Sequence, residues 1–235
     1  VAPTSAQAYG IGLGNLADEI EKGLGAATVK ATLKATPGAP LDLATMKKVG
    51  EQKGSNPGGV YEAEDGKKYY VKQTDEDHAK NELLAGALYG LAGSNVLKYH
   101  PLTDGKGLAT QMENLSADNV SQLTSEQRKE AQKDFAIHAW LANWDAVGLA
   151  GDNVGVVDGK PVNLDLGGSL LYRAKGSPKG AAFGATPTEW DTLRDTYKNP
   201  QAAALFKDMT PAQLKESADR LKSVSSADIN KLVME

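Results

Sequence analysis

At 235 residues, with 40% hydrophobic and 24% charged side chains, the chain has enough apolar material for one sizeable domain or two small lobes sharing a cleft. A formal net charge of -4 offers no basic face for nucleic acid, and the lack of cysteine removes disulfides, thiolate nucleophiles and thiolate zinc sites. No apolar run is long enough to span a membrane, and the amino end lacks the charged and apolar regions of a secretory signal. Beginning with Val rather than Met, the sequence is expected to be a processed product or an excised piece of something longer. Residues 1–45, rich in Ala, Gly, Thr, Pro and Leu, read as a leader that packs on or tethers the domain after it. Within it "NLADEIEKGL" has the spacing of a short amphipathic helix, and "ATPGAPLDLATM" reads as a Pro/Gly connector. Gly10, Gly12 and Gly14 suggest a phosphate loop, but no apolar strand precedes them, so the dinucleotide fingerprint lacks its context.

From Gly54 the pattern changes. "VYEAE" and "KKYYVKQ" read as two strands joined by the turn pair Asp65-Gly66, with the Gly-rich entry "GSNPGG" ahead of them. "DEDHAKNELLAGALYGLAG" carries Leu83, Leu84, Ala87, Leu88 and Leu91 on one helical face and closes on Gly93. "NVLKYHPL" and "KGLATQME" supply two more strands, and "NLSADNVSQL" connects them to one long helix, "SEQRKEAQKDFAIHAWLANW". Thr124 and Gln127 stand at capping-box spacing at its start. The hairpin "VGVV-DG-KPVNLDL" follows. The remainder, broken by Pro187, Pro200 and Pro211, reads as short helices, one of them capped by Thr210 with Pro211 in the first helical position. No internal repeat is visible.

The parts fall in a chemically meaningful order: a Gly-rich hairpin, Lys72 on its second strand, Glu82 on the next helix, then Asp145, Asn153 and Asp165 around the late hairpin. Phosphoryl transfer needs such a kit. Glycines, here Gly58 and Gly59, let backbone amides approach phosphates. A strand lysine held by a helix glutamate neutralises phosphate oxygens. Asn153 and Asp165 offer hard oxygen ligands for Mg2+, and Asp145 can accept the proton of an attacking hydroxyl. Asp165 interrupts the apolar run "VNLDLGG", and a buried carboxylate there needs a partner or a metal. The bland readings are a solvated strand lysine at Lys72, a helix-surface charge at Glu82, an Asp152-Asn153 turn, and a capping Asp145. His138, flanked by Phe135, Ile137 and Trp140, reads as a packed core histidine, and Trp140, Trp144 and Trp190 as core aromatics.

These stretches resemble the protein-kinase-like fold, in its small atypical form related to phosphatidylinositol 4-kinases, HipA-type kinases and phage or bacterial minimal kinases. "YYVKQ" is similar to the strand bearing the nucleotide-binding lysine and "HAKNELLAGALY" to the helix bearing its glutamate. "LANWDAVGLAGDNVGVV" is similar to the catalytic loop, and "VNLDLGG" to the Asp-Phe-Gly segment, here Asp165-Leu166-Gly167. The likeness covers roughly residues 54–172. It implies an α+β, two-lobed fold within residues 46–235, with a small β-rich lobe over about 46–113 and a reduced, mostly helical lobe over about 114–235. ATP would lie between them, its adenine near Gln111, Met112 and Glu113, with Mg2+ on Asn153 and Asp165. The implied activity is a phosphotransferase acting on a protein or small-molecule hydroxyl. Transfer of another group such as AMP, or an inactive interaction module of a larger phage or bacterial protein, are the alternatives. The location expected is cytoplasmic or virion-associated. Three departures stand beside the likeness. The stretch between Asp145 and Asn153 is longer than the usual loop, which leaves Asp152 as a rival base. No His-Arg-Asp triplet precedes it, and "GSNPGG" lacks the standard glycine spacing.

Overall fold

The computed structural model describes residues 37–234. The amphipathic stretch "NLADEIEKGL" and the Gly10, Gly12, Gly14 series lie outside the described residues. The architecture is α+β, with two antiparallel sheets of five and three strands and helices against both.

The larger sheet has the order β1-β2-β3-β5-β4, built from β1 (Lys47–Gly50), β2 (Gly58–Glu62), β3 (Lys68–Gln73), β4 (Tyr99–Pro101) and β5 (Gly107–Gln111). The β2–β3 hairpin turns at Asp65 and Gly66 as the sequence indicates. There the Gly66 N–H donates to the Ala63 carbonyl, and Asp65 Oδ1 accepts from the Lys67 N–H. Strand β1 is mostly exposed and polar, so it carries no alternating signal and is not among the strands expected from the sequence. The Pro/Gly connector is ordered by the sheet. Gly38 and Leu41 donate to the Tyr99 and Pro101 carbonyls, and the Thr103 N–H donates to the Leu41 carbonyl.

Helix α1 (Glu76–Leu91) begins at Asp75, whose carboxylate accepts from the His78 N–H. It ends in a paired-bond C-cap. Gly93 has φ +83, its N–H reaches the Gly90 carbonyl, and the Ser94 N–H reaches that of Tyr89.

The smaller sheet, β6 (Leu115–Ala117), β7 (Val154–Val157) and β8 (Lys160–Asn163), has the order β6-β7-β8. Asp158 and Gly159 both have positive φ at the β7–β8 turn, which fits the tight hairpin expected of "DG". The single long helix expected over "SEQRKEAQKDFAIHAWLANW" is instead two, α2 (Ser125–Gln132) and α3 (Phe135–Trp140). The capping box of Thr124 and Gln127 opens α2. The break falls at Asp134, whose carboxylate is drawn inward by Ser94 Oγ (2.6 Å), Asn163 Nδ2 (2.9 Å) and Arg220 Nη1 (2.5 Å). Those partners are distant in sequence, so helical periodicity gives no sign of them.

Short helices α4 (Glu189–Thr192), α5 (Pro200–Phe206), α6 (Pro211–Asp219) and α7 (Ser226–Met234) complete the chain. Thr210 caps α6 as expected, in a capping box with Gln213. Phe135 packs its ring against Trp190 and Phe206 at the centre of one apolar cluster. Leu88 and Tyr89 of α1 meet Ile137, Leu141, Leu166 and Leu170 in a second. Each fully buried side chain of this size stabilises the fold by about 1.5–3 kcal/mol, so α1 and the loop after β8 are held in fixed relation. No helix among the described residues is long and apolar enough to cross a membrane.

Candidate functional site

The pleat of β3 decides which way Lys72 faces. Tyr69 and Val71 turn into the apolar layer beneath the sheet, which sends Tyr70 and Lys72 to the opposite face, where both line a cleft of about 650 Å³. Across it stands Glu82, buried on α1. Lys72 Nζ lies 2.9 and 3.0 Å from the two Glu82 oxygens and 3.2 Å from each Asp165 oxygen. One ammonium thus joins a strand, a helix and a loop that are 10 and 93 residues away along the chain. Leu166, buried in the second apolar cluster, anchors the loop, and the Gly167 N–H fixes Asp165 Oδ1 at 2.9 Å.

The charges in this cluster are unequal. Burial disfavours the charged form of Lys72, but Glu82 and Asp165 more than reverse that and keep it an ammonium. Desolvation pushes Glu82 up to about 7, against the pull of Lys72 and with the help of the Asp165 charge. Desolvation also opposes ionisation of Asp165. Lys72 and the Gly167 N–H outweigh it, and the Asp165 carboxyl stays below its ordinary range. Its side chain is 48% exposed, so it presents an ionised face to the cleft while Glu82 stays hidden behind it.

Asp145 and Asn153 sit on the loop between α3 and β7. Asn153 Nδ2 donates to the Asp145 carbonyl (2.7 Å) and to its carboxylate (3.2 Å), tying the two ends of the 145–153 loop together. Burial, reinforced by the nearby Asp165 charge, pushes Asp145 up to about 6. Asn153, Asp165, Gln111, Met112 and Glu113 all line the cleft, as does Asp152. Asp145 is not part of that wall, but it is only half-buried and is bonded to Asn153, which is.

Gly58 and Gly59 also do not line the cleft. Their φ values of +144 and +135 serve the sheet. A Cβ at Gly58 would stand 2.0 Å from the Val71 carbonyl oxygen, and one at Gly59 2.4 Å from that of Gly50. The wall at that point consists of Lys53, Gly54, Ser55 and Asn56, with the Tyr70 hydroxyl accepting from the Lys53 and Gly54 N–H groups. The segment 112–114, free of regular structure, links the two sheets along the edge of the cleft.

Two further groups carry no sequence signal. Lys179 is buried and donates to the carbonyls of Ala142 (2.7 Å) and Gly168 (2.8 Å), bolting the Asp145 loop to the Asp165 loop. Burial pushes it down to about 8. Ala142 has φ +53, and the bond from Lys179 holds this unfavourable backbone. His78 reaches from α1 to the Gly176 carbonyl (2.8 Å) and stacks on Tyr172. His138 is packed as expected, and burial pushes it down to about 3, so it is a neutral partner of the Tyr89 hydroxyl. Trp140 and Trp190 are buried and Trp144 is half-buried.

Among the described residues no three His, Asp or Glu side chains are grouped to hold a metal ion. The oxygens that do face the cleft fit magnesium used together with phosphate ligands, since Mg2+ takes one or two carboxylates and the rest from substrate and water. Asp165 is ionised and half-exposed, and Asn153 spends its amide N–H groups on Asp145, leaving Oδ1 without a donor. A scan against protein-family models finds no match to this chain, and a search of curated proteins finds none either.

Proposed function

We propose that the protein is a nucleotide-dependent phosphotransferase of the atypical kinase kind, with the larger sheet and α1 as its small lobe and the smaller sheet and later helices as its reduced second lobe. The observation that carries this reading is the single ammonium of Lys72 shared by Glu82 and Asp165 on the wall of the cleft. A structural ion pair needs one carboxylate for one ammonium. With Asp165 ionised and Glu82 pushed up to about 7, the cluster holds more acid than base beside an open cavity, and a cation joining it would let both carboxylates stay charged.

In this reading ATP lies in the cleft with its base along 111–113 and its phosphates toward Lys72. Mg2+ would be held by Asn153 Oδ1 and Asp165, and when bound it screens the phosphate charge. Glu82 keeps Lys72 aimed. Asp145, with its proton affinity raised, takes the proton of the acceptor hydroxyl and passes it to solvent after transfer. Asn153 holds the Asp145 carboxylate in one orientation through its Nδ2 bond. Leu166 and the surrounding apolar side chains keep water away from the back of the cluster.

Thermal stabilisation by ATP and ADP, with and without magnesium, tests the reading. Binding at 100 times Kd adds about 2.7 kcal/mol to stability, so a metal-dependent rise in Tm is expected for the native protein and its loss in Lys72→Ala and Asp165→Asn. No shift at millimolar nucleotide would overturn it. Intact mass of an acceptor then separates transfer of phosphate from transfer of AMP.

A further inference from the structure

The segment after Asp165 folds back on itself. Tyr172 bridges Pro178 in antiparallel register, the Lys179 N–H donates to the Leu171 carbonyl, and a tight turn at its tip is closed by Gly176 (φ +82) donating to the Arg173 carbonyl. Three attachments fix this small hairpin. At its base Lys179 Nζ grips the Ala142 and Gly168 carbonyls. At its tip His78 binds the Gly176 carbonyl, and the His78 ring, aligned by Asp75, stacks on Tyr172 at 3.9 Å between centroids.

The hairpin is therefore held rigidly, and what it presents is charge. Arg173 and Lys175 are exposed, both line the cleft, and neither has an ion-pair partner among the described residues. Two like charges on one short turn repel each other and add nothing to stability. Lys72 differs, being neutralised by its two carboxylates, while Lys53 is a lone cation on the Gly54–Asn56 wall and not one of a pair on a single turn. Glu113, just past the Gln111 end of β5, lies by the Lys68–Tyr69 end of β3, whereas His78, which holds the turn, follows the other end of that strand. The 173–176 turn thus brings two cations to the cleft away from Glu113.

We infer that the hairpin bearing Arg173 and Lys175 is the acceptor-binding arm of this site, selecting hydroxyl acceptors that carry an anionic group, carboxylate or phosphoryl, beside the hydroxyl. The inference rests on the phosphotransferase reading above and supplies its substrate class. Guanidinium and ammonium groups on a preordered turn recognise such an anion with charge-assisted hydrogen bonds at little ordering cost. The attachment through His78 to α1, the helix that carries Glu82, also places acceptor binding and Lys72 alignment on one rigid body.

Equilibrium binding to the full chain saturated with ADP and magnesium tests this. The probes are fluorescent serine peptides flanked by Glu, by Gln or by Lys, with glycerate and glycerol as small competitors. The Glu-flanked peptide is expected to bind about tenfold tighter than the Gln-flanked one, as one or two charge-assisted contacts provide, and the Lys-flanked one weakest. Glycerate, not glycerol, competes if a small acid suffices, whereas a flanking preference without glycerate competition marks a polypeptide acceptor. The Arg173→Ala, Lys175→Ala double variant is expected to erase the charge preference while keeping the ADP-dependent rise in Tm. Equal binding of all probes, or a preference that survives in the double variant, overturns the inference and leaves the nucleotide reading intact. Absence of any ADP shift in the native protein brings down both.

Discussion

Two clusters of charge in this molecule are built to opposite ends. In one, Asp134 receives Arg220, Ser94 and Asn163, and Arg220 also reaches Glu130, which Lys133 meets in turn, so the carboxylates are matched by cations and neutral donors. In the other, Lys72 is shared by two carboxylates, one of them half-exposed to a cleft. The first is saturated and closed off from the cavity, the second is over-supplied with negative charge and open. On the phosphotransferase reading, the difference separates a group that holds the fold together from one completed by a ligand.

The comparison breaks most visibly under crossed substitution. Arg220→Met leaves the Asp134 carboxylate buried without its cation and is expected to cost about 3–5 kcal/mol in chemical denaturation, since removing one partner strands the other. Transfer per folded molecule is expected to stay near native. Lys72→Met should do the reverse. Glu82, already near neutrality in its proton affinity, takes up a proton and spares the fold, while transfer falls at least about a hundredfold with the lost phosphate contact. Equal stability losses from both variants would erase the distinction.

Which parts of this were legible beforehand follows from the range of the forces involved. The Asp65-Gly66 and Asp158-Gly159 turns, the Thr124 and Thr210 capping boxes and the Schellman end at Gly93 are settled within a few residues, and the sequence displays them. Asp165 could be singled out because an ion in an apolar stretch must have a partner, and Lys72 and Glu82 by the hairpin and the ten-residue spacing between them. The break at Asp134 could not, because Arg220 is 86 residues away. Gly58 and Gly59 illustrate a different gap. Their glycine identity is demanded by the neighbouring strands β1 and β3, and composition alone cannot tell that from closeness to a phosphate. Lys179 and His78 are ordinary polar residues in sequence, given their work by loops that meet only in three dimensions.

A smaller effect sharpens the open cluster from its edge. Asp145 is pushed up to about 6 by burial and by the Asp165 charge, whereas Asp152 is exposed on the cleft wall. With Asp145 as the base, the transfer rate should climb as pH rises through about 6 and level off above it. Asp145→Asn is expected to flatten that limb and lower the plateau about a hundredfold, with Asp152→Asn close to native. The opposite ranking would make Asp152 the base. Stability runs the other way: folding raises the proton affinity of Asp145 above its ordinary 3.8, so its contribution is full below that value and lost as pH rises through about 6. Asp145→Asn should remove that decline.

Lys179 is a third kind of buried charge, with carbonyls for partners instead of carboxylates, and it gives the smallest and most specific effect. A neutral amine has two N–H donors, and the pocket offers two acceptors, Ala142 O and Gly168 O. The site therefore suits the uncharged form, in keeping with burial pushing Lys179 down to about 8. Because the folded state binds this proton less tightly than the unfolded chain, whose ordinary value is 10.5, stability from this residue is lost as pH falls through about 8 and full above 10.5. Lys179→Met removes both hydrogen bonds and leaves two buried carbonyls unpaired, a cost of about 1–3 kcal/mol. Chemical denaturation at pH 7.5 and pH 9.5 should show that cost larger at the higher pH. A penalty that is independent of pH would mean that Lys179 keeps its charge on folding, and its two carbonyls would then form a cation site as fully supplied as the one around Asp134.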